Sequence, residues 1–486
     1  RGLGDVYKRQ TLTIDLETSI LKIRNLQKKR GIFSMKGNRS MQDMTEGRPI
    51  SLILKFFFPL LFGMLFQQFY NLVDTAIVGK FLGPDDLAAV GATGSVNFLI
   101  LGFCMGVCNG FSIPVAQKFG AKDESGLRRF VANSVWLSVI FAAVMTVVVC
   151  ILCRQILIWM DTPANILEGS YRYIFVIFLG IPVTYLYNLL SGIMRALGDS
   201  KTPLIFLILS SVLNILFDLG AILILHMGVA GAAWATVTAQ GISGVLCLIY
   251  MKKKYTILKI SKDEWKLNGS CIARLCGMGI PMGLQYSITA IGSVVLQTAV
   301  NRLGSTAVAA VASGGKLAMF FCCPFDAMGS TMSTYAGQNL GAQKLDRVDK
   351  GIFACSGLAL VYSVIACAVL LFTGQYLALL FVDGTETRLI EMIAAFLRWN
   401  CIFYFPLALV NIVRFTIQGL GFGKLAILAG VCEMAARSIV GFYFVPVFGF
   451  TAACLASPIA WILADVFLIP AYFLVVRHLK KELCIS

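Results

Sequence analysis

Twelve apolar runs alternate with short polar stretches along the chain. They lie near 51–79, 87–116, 131–153, 166–190, 203–225, 229–250, 271–300, 307–334, 352–373, 389–413, 425–446 and 450–476. A helix needs about 20 residues to cross a hydrocarbon core roughly 30 Å thick. Every run is that long, so the pattern predicts an all-α integral membrane protein of twelve transmembrane helices. The first, second, seventh and eighth runs exceed one span, which predicts tilt or bending. Composition agrees: of 486 residues, 58% are hydrophobic and 14% charged, where a soluble domain carries nearer a quarter charged.

Lys and Arg number 41 against 25 Asp and Glu. Their placement, more than their number, is informative. Loops after even-numbered runs hold Lys118, Lys122, Arg128 and Arg129; Arg195 and Lys201; Lys252–Lys254, Lys259, Lys262, Lys266 and Arg274; Lys344, Arg347 and Lys350; and Arg414 and Lys424. Loops after odd-numbered runs hold Lys80, Arg154, Arg302 and Arg388. Positive charge stays cytoplasmic, so both termini are expected inside a bacterial plasma membrane. The basic excess is topological and predicts no nucleic-acid partner. The cysteines are scattered through the runs without metal-type spacing; Cys150 and Cys153 form an isolated CxxC, and the rest read as small apolar fillers. The polar segment 1–45 opens with "RGLGDVYKRQ", which is unrelated to the remainder of the chain. It is expected to be partly non-native, with a natural start at Met35, Met41 or Met44.

The chain repeats itself once. "FFFPLLFGMLFQQFYNLV" (56–73) matches "MGIPMGLQYSITAIGSVV" (278–295), placing Pro59 opposite Pro281. "FLGPDDLAAVGATG" matches "RLGSTAVAAVASGG", "VAQKFGAKD" matches "AGQNLGAQK", and "RALGDSKTP" matches "QGLGFGKLA", all at offsets of 221–223. Four segments at nearly one offset define two six-helix lobes, 46–250 and 271–476. A basic cytoplasmic linker over 251–270 joins them, and 477–486 forms a cytoplasmic tail. Six spans per lobe make the repeats parallel, about an axis along the membrane normal. No HExxH, phosphate-binding lysine loop or nucleophile elbow appears, so the chain is not expected to be an enzyme.

Polar residues inside the runs fall in stripes. Gln67, Asn71 and Asp74 stand at i, i+4, i+7; Ser210, Asn214 and Asp218 at i, i+4, i+8; Thr236 and Gln240 at i, i+4. An aspartate at mid-bilayer costs roughly 2.5–3.5 kcal/mol on insertion scales and faces an interior or wet cavity, where it usually serves an ion or proton path. Asp74, Asn214, Asp218 and Thr236 are therefore expected to meet in a polar pocket of the first lobe. Two adjacent carboxylates do not both ionise cheaply, so the pair suits a proton. The same oxygens suit Na⁺. Pro59, within its span, is placed to bend the helix.

These segments resemble the multidrug and toxic compound extrusion (MATE) family. The resemblance rests on "QQFYNLVDTAIVGKFLG", "VAQKFGA" with its twin "GQNLGA", "RALGD", "LNILFD" and "GVAGAAWATVTAQ", and it spans about 45–480. It implies a cation or proton site at Asp74, Asn214, Asp218 and Thr236. It also implies helix bending at Pro59 coupled to transport, and cavity roles for Tyr173 and Asn188 beside Gln67 and Asn71. One branch carries a glutamate in the seventh helix, where Thr289 stands here, and an aspartate in the tenth, which "RWNCIFYFPLALVNIVRF" lacks. Glu433 and Arg437, at i, i+4 in the eleventh run, read instead as a structural ion pair, with Arg414 a neighbour. Asp326 receives no role.

The function expected is export of drugs and toxic, often cationic, organic compounds by alternating access, driven by Na⁺ or H⁺. No cofactor is expected beyond that ion, and no partner beyond cargo and membrane lipid; the protein is expected to be a monomer. The alternative is a lipid-linked saccharide flippase or polysaccharide exporter of the same superfamily.

Overall fold

Every element of regular structure in the computed structural model, which describes residues 41–380, 382 and 385–483, is helical. Among the described residues, ten helices are long and apolar enough to cross a membrane: α1 (Pro49–Phe81), α2 (Asp85–Gly120), α3 (Glu124–Trp159), α5 (Lys201–Ile224), α6 (Gly228–Lys254), α7 (Gly269–Asn301), α8 (Ser305–Gly341), α9 (Leu345–Ala378), α11 (Gly423–Phe448) and α12 (Phe450–Glu482). Two bent pairs complete the twelve spans. These are α4, Ala164–Leu179 with Ile181–Ala196 at 47°, and α10, Thr387–Cys401 with Tyr404–Gly419 at 51°. The protein is a multi-pass membrane protein. Its large apolar side chains include many that lie exposed on the outer helices, such as Phe353, Phe372 and Val466. In water such a surface would be untenable; in lipid it is the solvated face.

The helices outrun the apolar segments at the linker end. α8 continues to Gly341 through the polar "GQNLG". Those polar groups find partners: Gln338 Nε2 donates to the Ala196 carbonyl, and Asn339 Nδ2 to Tyr335 O and Met44 O. Hydropathy registers the lipid-facing length of a helix, whereas hydrogen bonding sets its full length.

The repeat is written into the backbone. Gly83 and Gly304 precede α2 and α8 with φ of +98° each, a conformation a β-carbon disfavours. Lys122 and Gln343 both stand at φ +58° after those helices. A π-helical turn closes α5 over Gly220–Ile224 and interrupts α11 over Val440–Phe444. The bends in α4 and α10 are also counterparts.

The two lobes exchange the beginnings of their first helices. Ile53, Phe56, Phe57 and Leu60 of α1 pack in the apolar cluster of the second lobe, while Ile77 and Val78 lie in that of the first. Reciprocally, Cys271 and Leu275 of α7 pack in the first-lobe cluster. The sequence division at 46–250 and 271–476 follows the repeat, but the packing crosses it. A 33-residue helix is about 50 Å long, enough for α1 to serve one lobe at each end.

At the linker end the lobes meet backbone to backbone. A β-carbon on Gly120 would overlap Gln338, and one on Gly341 would overlap Gln117. Gln117 Nε2 donates to the Gly419 carbonyl at 2.9 Å, and Gln338 Nε2 to the Ala196 carbonyl at 2.9 Å. This mirrored pair seals the cleft between lobes. The linker itself is docked on α3. Glu264 accepts from Arg128 Nε at 2.9 Å, and Trp265 meets Trp136 edge to face. The Ser261 N–H and Arg128 hold the Glu264 carboxyl below its usual range.

Candidate functional site

A cavity of about 430 Å³ lies between the lobes above this seal. Its first-lobe wall contains the stripe expected of α1: Gln67, Asn71 and Asp74 all line it, as do Tyr173, Asn188, Ser210, Asn214, Thr236 and Gln240. Pro59 lines it too, within an α1 that runs unbroken from Pro49 to Phe81. The second lobe contributes Met282, Tyr286, Ser330, Ser333, Thr334 and Phe415.

The acidic pocket opens from this cavity. Helical spacing turns Tyr70 and Asp74 of α1 toward Asn214 and Asp218 of α5 and Thr236 of α6. The Asp74 and Asp218 carboxyls lie beside one another. With its amide turned to satisfy both ends, Asn214 donates from Nδ2 to Asp218 Oδ2 at 2.9 Å and to Tyr70 Oη at 3.0 Å. Its Oδ1 faces Thr236 N and Oγ1 at 3.0 and 3.1 Å. Asp74 is half-buried and touches the cavity, whereas Asp218 is fully buried behind it. Oδ1 of each aspartate is buried and has no hydrogen-bond partner in the protein. An orphaned carboxylate oxygen is costly. Two of them, faced by an amide, a hydroxyl and a phenol, make a donor set fitted to a proton or a hard monovalent cation. One level toward the linker end, Thr184 Oγ1 meets Gln240 Oε1 at 3.3 Å.

The second lobe has a different polar centre. Arg437 Nη2 donates to Glu433 Oε2 at 3.2 Å, as the i, i+4 spacing implies, and Arg414 Nη2 donates to the other carboxylate oxygen. All three residues are buried, and none lines the cavity. Asp326 accepts from Asn411 Nδ2 at 3.1 Å. Thr289 turns its hydroxyl to the Gln285 carbonyl of its own helix at 3.0 Å.

Some participants escaped the sequence reading. Tyr70 stands at i+3 from Gln67, on the α1 stripe, and its phenol was readable from that register. Asp465 of α12 faces Arg414; it is a lone acid in its run with no polar periodicity to betray it. Arg195 and Arg414 were assigned to loops. Arg195 belongs to the second half of α4 and lines the cavity. Arg414 is buried in α10. Both sit near span ends, where charge asymmetry alone does not separate a loop cation from an inward-turned one.

Two parallel six-helix lobes around a central cavity, with paired carboxylates in one lobe, define the architecture of a membrane transporter. The MatE family model matches the chain over 59–219 and again over 281–444, once per lobe. The chain belongs to this family, the multidrug and toxic compound extrusion transporters. It is 30% identical over 377 residues to the "Probable multidrug resistance protein YpnP" of Bacillus subtilis (strain 168), covering 76% of this chain and 82% of the relative. To the "FAD transporter" of Shewanella oneidensis it is 24% identical, covering 82% and 88%. Its fold is that of a crystal structure described as the "Outward-facing conformation of a multidrug resistance MATE family transporter of the MOP superfamily". The TM-score is 0.84 at 22% identity, covering 91% of this chain and 99% of that one.

Proposed function

We propose that this protein exports drugs and other toxic amphipathic compounds, cations among them, from a bacterial cell across the plasma membrane, driven by inward flow of Na⁺ or H⁺. The observation that carries the reading is the Asp74–Asp218 pair. Its buried, partnerless oxygens adjoin a cavity shared by both lobes. Coupling requires that the ion and the cargo favour different lobe arrangements. Asp74 and Tyr70 lie on the helix that spans both lobe cores, so a change in the charge of the pair reaches the packing of α1. Relatives named as multidrug resistance proteins support the cargo class. In this reading the coupling ion is the only small ligand besides cargo, both termini are cytoplasmic and the protein works as a monomer.

The saccharide-flippase alternative depended on Arg414 and Arg437 presenting a basic surface to a pyrophosphate. Both are turned onto Glu433 and away from the cavity lining. The decisive experiment is efflux of a fluorescent cation from proteoliposomes under separately imposed Na⁺ and proton gradients. Gradient-driven efflux is expected with one ion. Efflux indifferent to both gradients would overturn the coupling.

A further inference from the structure

Among the described residues, Asp74 and Arg195 are the formally charged side chains lining the central cavity. The acidic pole is assigned above; the basic one is not. Arg195 Nη2 donates to Asn109 Oδ1 at 2.9 Å. No carboxylate pairs with this guanidinium among the described residues. One of its five N–H donors is thereby engaged. Its other neighbours are the phenols of Tyr187 and Tyr286 and, along the same cavity, the hydroxyls of Ser112, Ser330 and Ser333. None of these neutralises an arginine; Tyr187 Oη already donates to the Pro203 carbonyl at 3.3 Å and Ser112 Oγ to the Asn109 carbonyl at 2.6 Å, which leaves Tyr286, Ser330 and Ser333 as the hydroxyls beside the open guanidinium donors.

Position matters as much as chemistry. Arg195 is eleven residues beyond Thr184 on α4, about 16 Å toward the linker end at ~1.5 Å per residue. Thr184 lies level with Gln240, itself one turn below Thr236 of the acidic pocket. The cation therefore stands roughly 20 Å from Asp218 along the helix axes. The next residue, Ala196, gives its carbonyl to Gln338 in the seal between lobes. Arg195 is the floor of the cleft, approached by both lobes. Apolar side chains, Met64, Leu101, Met105 and Met282 among them, line the cavity together with its polar groups. Arg195 is half-buried; a guanidinium partly withdrawn from water without a counter-ion is costly, and inside a membrane such a charge usually serves a substrate or ion.

We propose that Arg195 receives an anionic group of the cargo, a carboxylate or phosphate monoester carried on an otherwise apolar or cationic molecule. The best-held cargo is then an organic anion or zwitterion, and a purely cationic compound is held less tightly. The planar fork of arginine matches such groups with two parallel hydrogen bonds. Entry of the anion supplies the missing counter-charge between the two lobes at the seal, which ties cargo binding to lobe contact. The assignment rests on the export reading for the word cargo, but the binding chemistry is testable without transport.

Rhodamine 110 carries a free carboxyl, and rhodamine 123 is its methyl ester, with the same xanthene core. Fluorescence anisotropy with the purified full-length protein in detergent is expected to show the acid bound about tenfold more tightly than the ester, as a charge-assisted hydrogen bond implies. Arg195→Gln should bring the ratio close to one, and Arg195→Lys should retain part of it. Equal binding of the two dyes, binding of neither, or a preference that survives in Arg195→Gln would overturn the proposal. If Arg195→Gln does not fold, the wild-type ratio and its reduction in Arg195→Lys decide. Inorganic phosphate alone should displace the acid only weakly. Displacement by phosphate at equal concentration would mark a simple anion site and count against a cargo role. Acid preference without gradient-driven efflux would overturn the export reading alone. Efflux of both dyes without acid preference would overturn this inference alone.

Discussion

Asp218 is the residue on which the chemistry turns. It is fully buried, receives Asn214 Nδ2 on one oxygen and leaves the other without a partner. Replacement by asparagine keeps the shape and removes the exchangeable charge. Asp74→Asn and Asp218→Asn are therefore expected to insert and fold normally, since loss of a mid-membrane charge eases insertion. Ion-driven efflux should fall in each to near the protein-free level. Size-exclusion profiles alongside proteoliposome efflux check both halves of this expectation; full efflux from a well-folded Asp218→Asn protein would remove the pair from the mechanism. Residue chemistry was partly legible in advance. The stripes of α1, α5 and α6 put Asp74, Asn214, Asp218 and Thr236 on inward faces, because periodicity fixes which residues share a face. It does not fix how two helices are rotated against each other, so the Tyr70 phenol on Asn214 is set by the tertiary structure alone.

At the scale of elements, α11 carries Glu433 between Arg437 of its own helix and Arg414 of α10. The i, i+4 partner was readable from spacing; the second arginine was not, because it arrives from a neighbouring helix. Removing one member of a buried charge group leaves an uncompensated charge, which costs about 3–5 kcal/mol in proteins generally. Glu433 is shared by two arginines, so Glu433→Leu is expected to lower folded yield more than Arg437→Leu. Replacing all three by apolar residues should recover much of the loss. Monodisperse yield after solubilisation measures this. Efflux that remains should keep the ion dependence of the wild type. A well-folded Glu433→Gln protein without ion coupling would make this cluster a second coupling site.

For the whole molecule, the seal between "VAQKFGA" and "GQNLGA" sets which side of the cleft is shut. Gly341 packs against the Gln117 backbone with no room for a β-carbon, so Gly341→Val should force the lobes apart at the linker end. Spin labels at exposed Ser125 and Lys350, in a background with reactive native cysteines replaced, are expected to move to longer separations in Gly341→Val. An unchanged distance distribution would show that the seal does not depend on this contact. Span number and the internal repeat are properties of the sequence itself. Lipid demands that each crossing be a long apolar helix, and a duplicated fold keeps its glycines and prolines at one offset. The exchange of the α1 and α7 beginnings between lobes, the closing of Arg414 onto Glu433 and the turn of Arg195 into the cleft were decided only in three dimensions. Each depends on which helix stands beside which and on its rotation. Apolar patterning does not encode that, because inside a membrane a helix face turned to lipid and one turned to a neighbouring helix can be equally apolar.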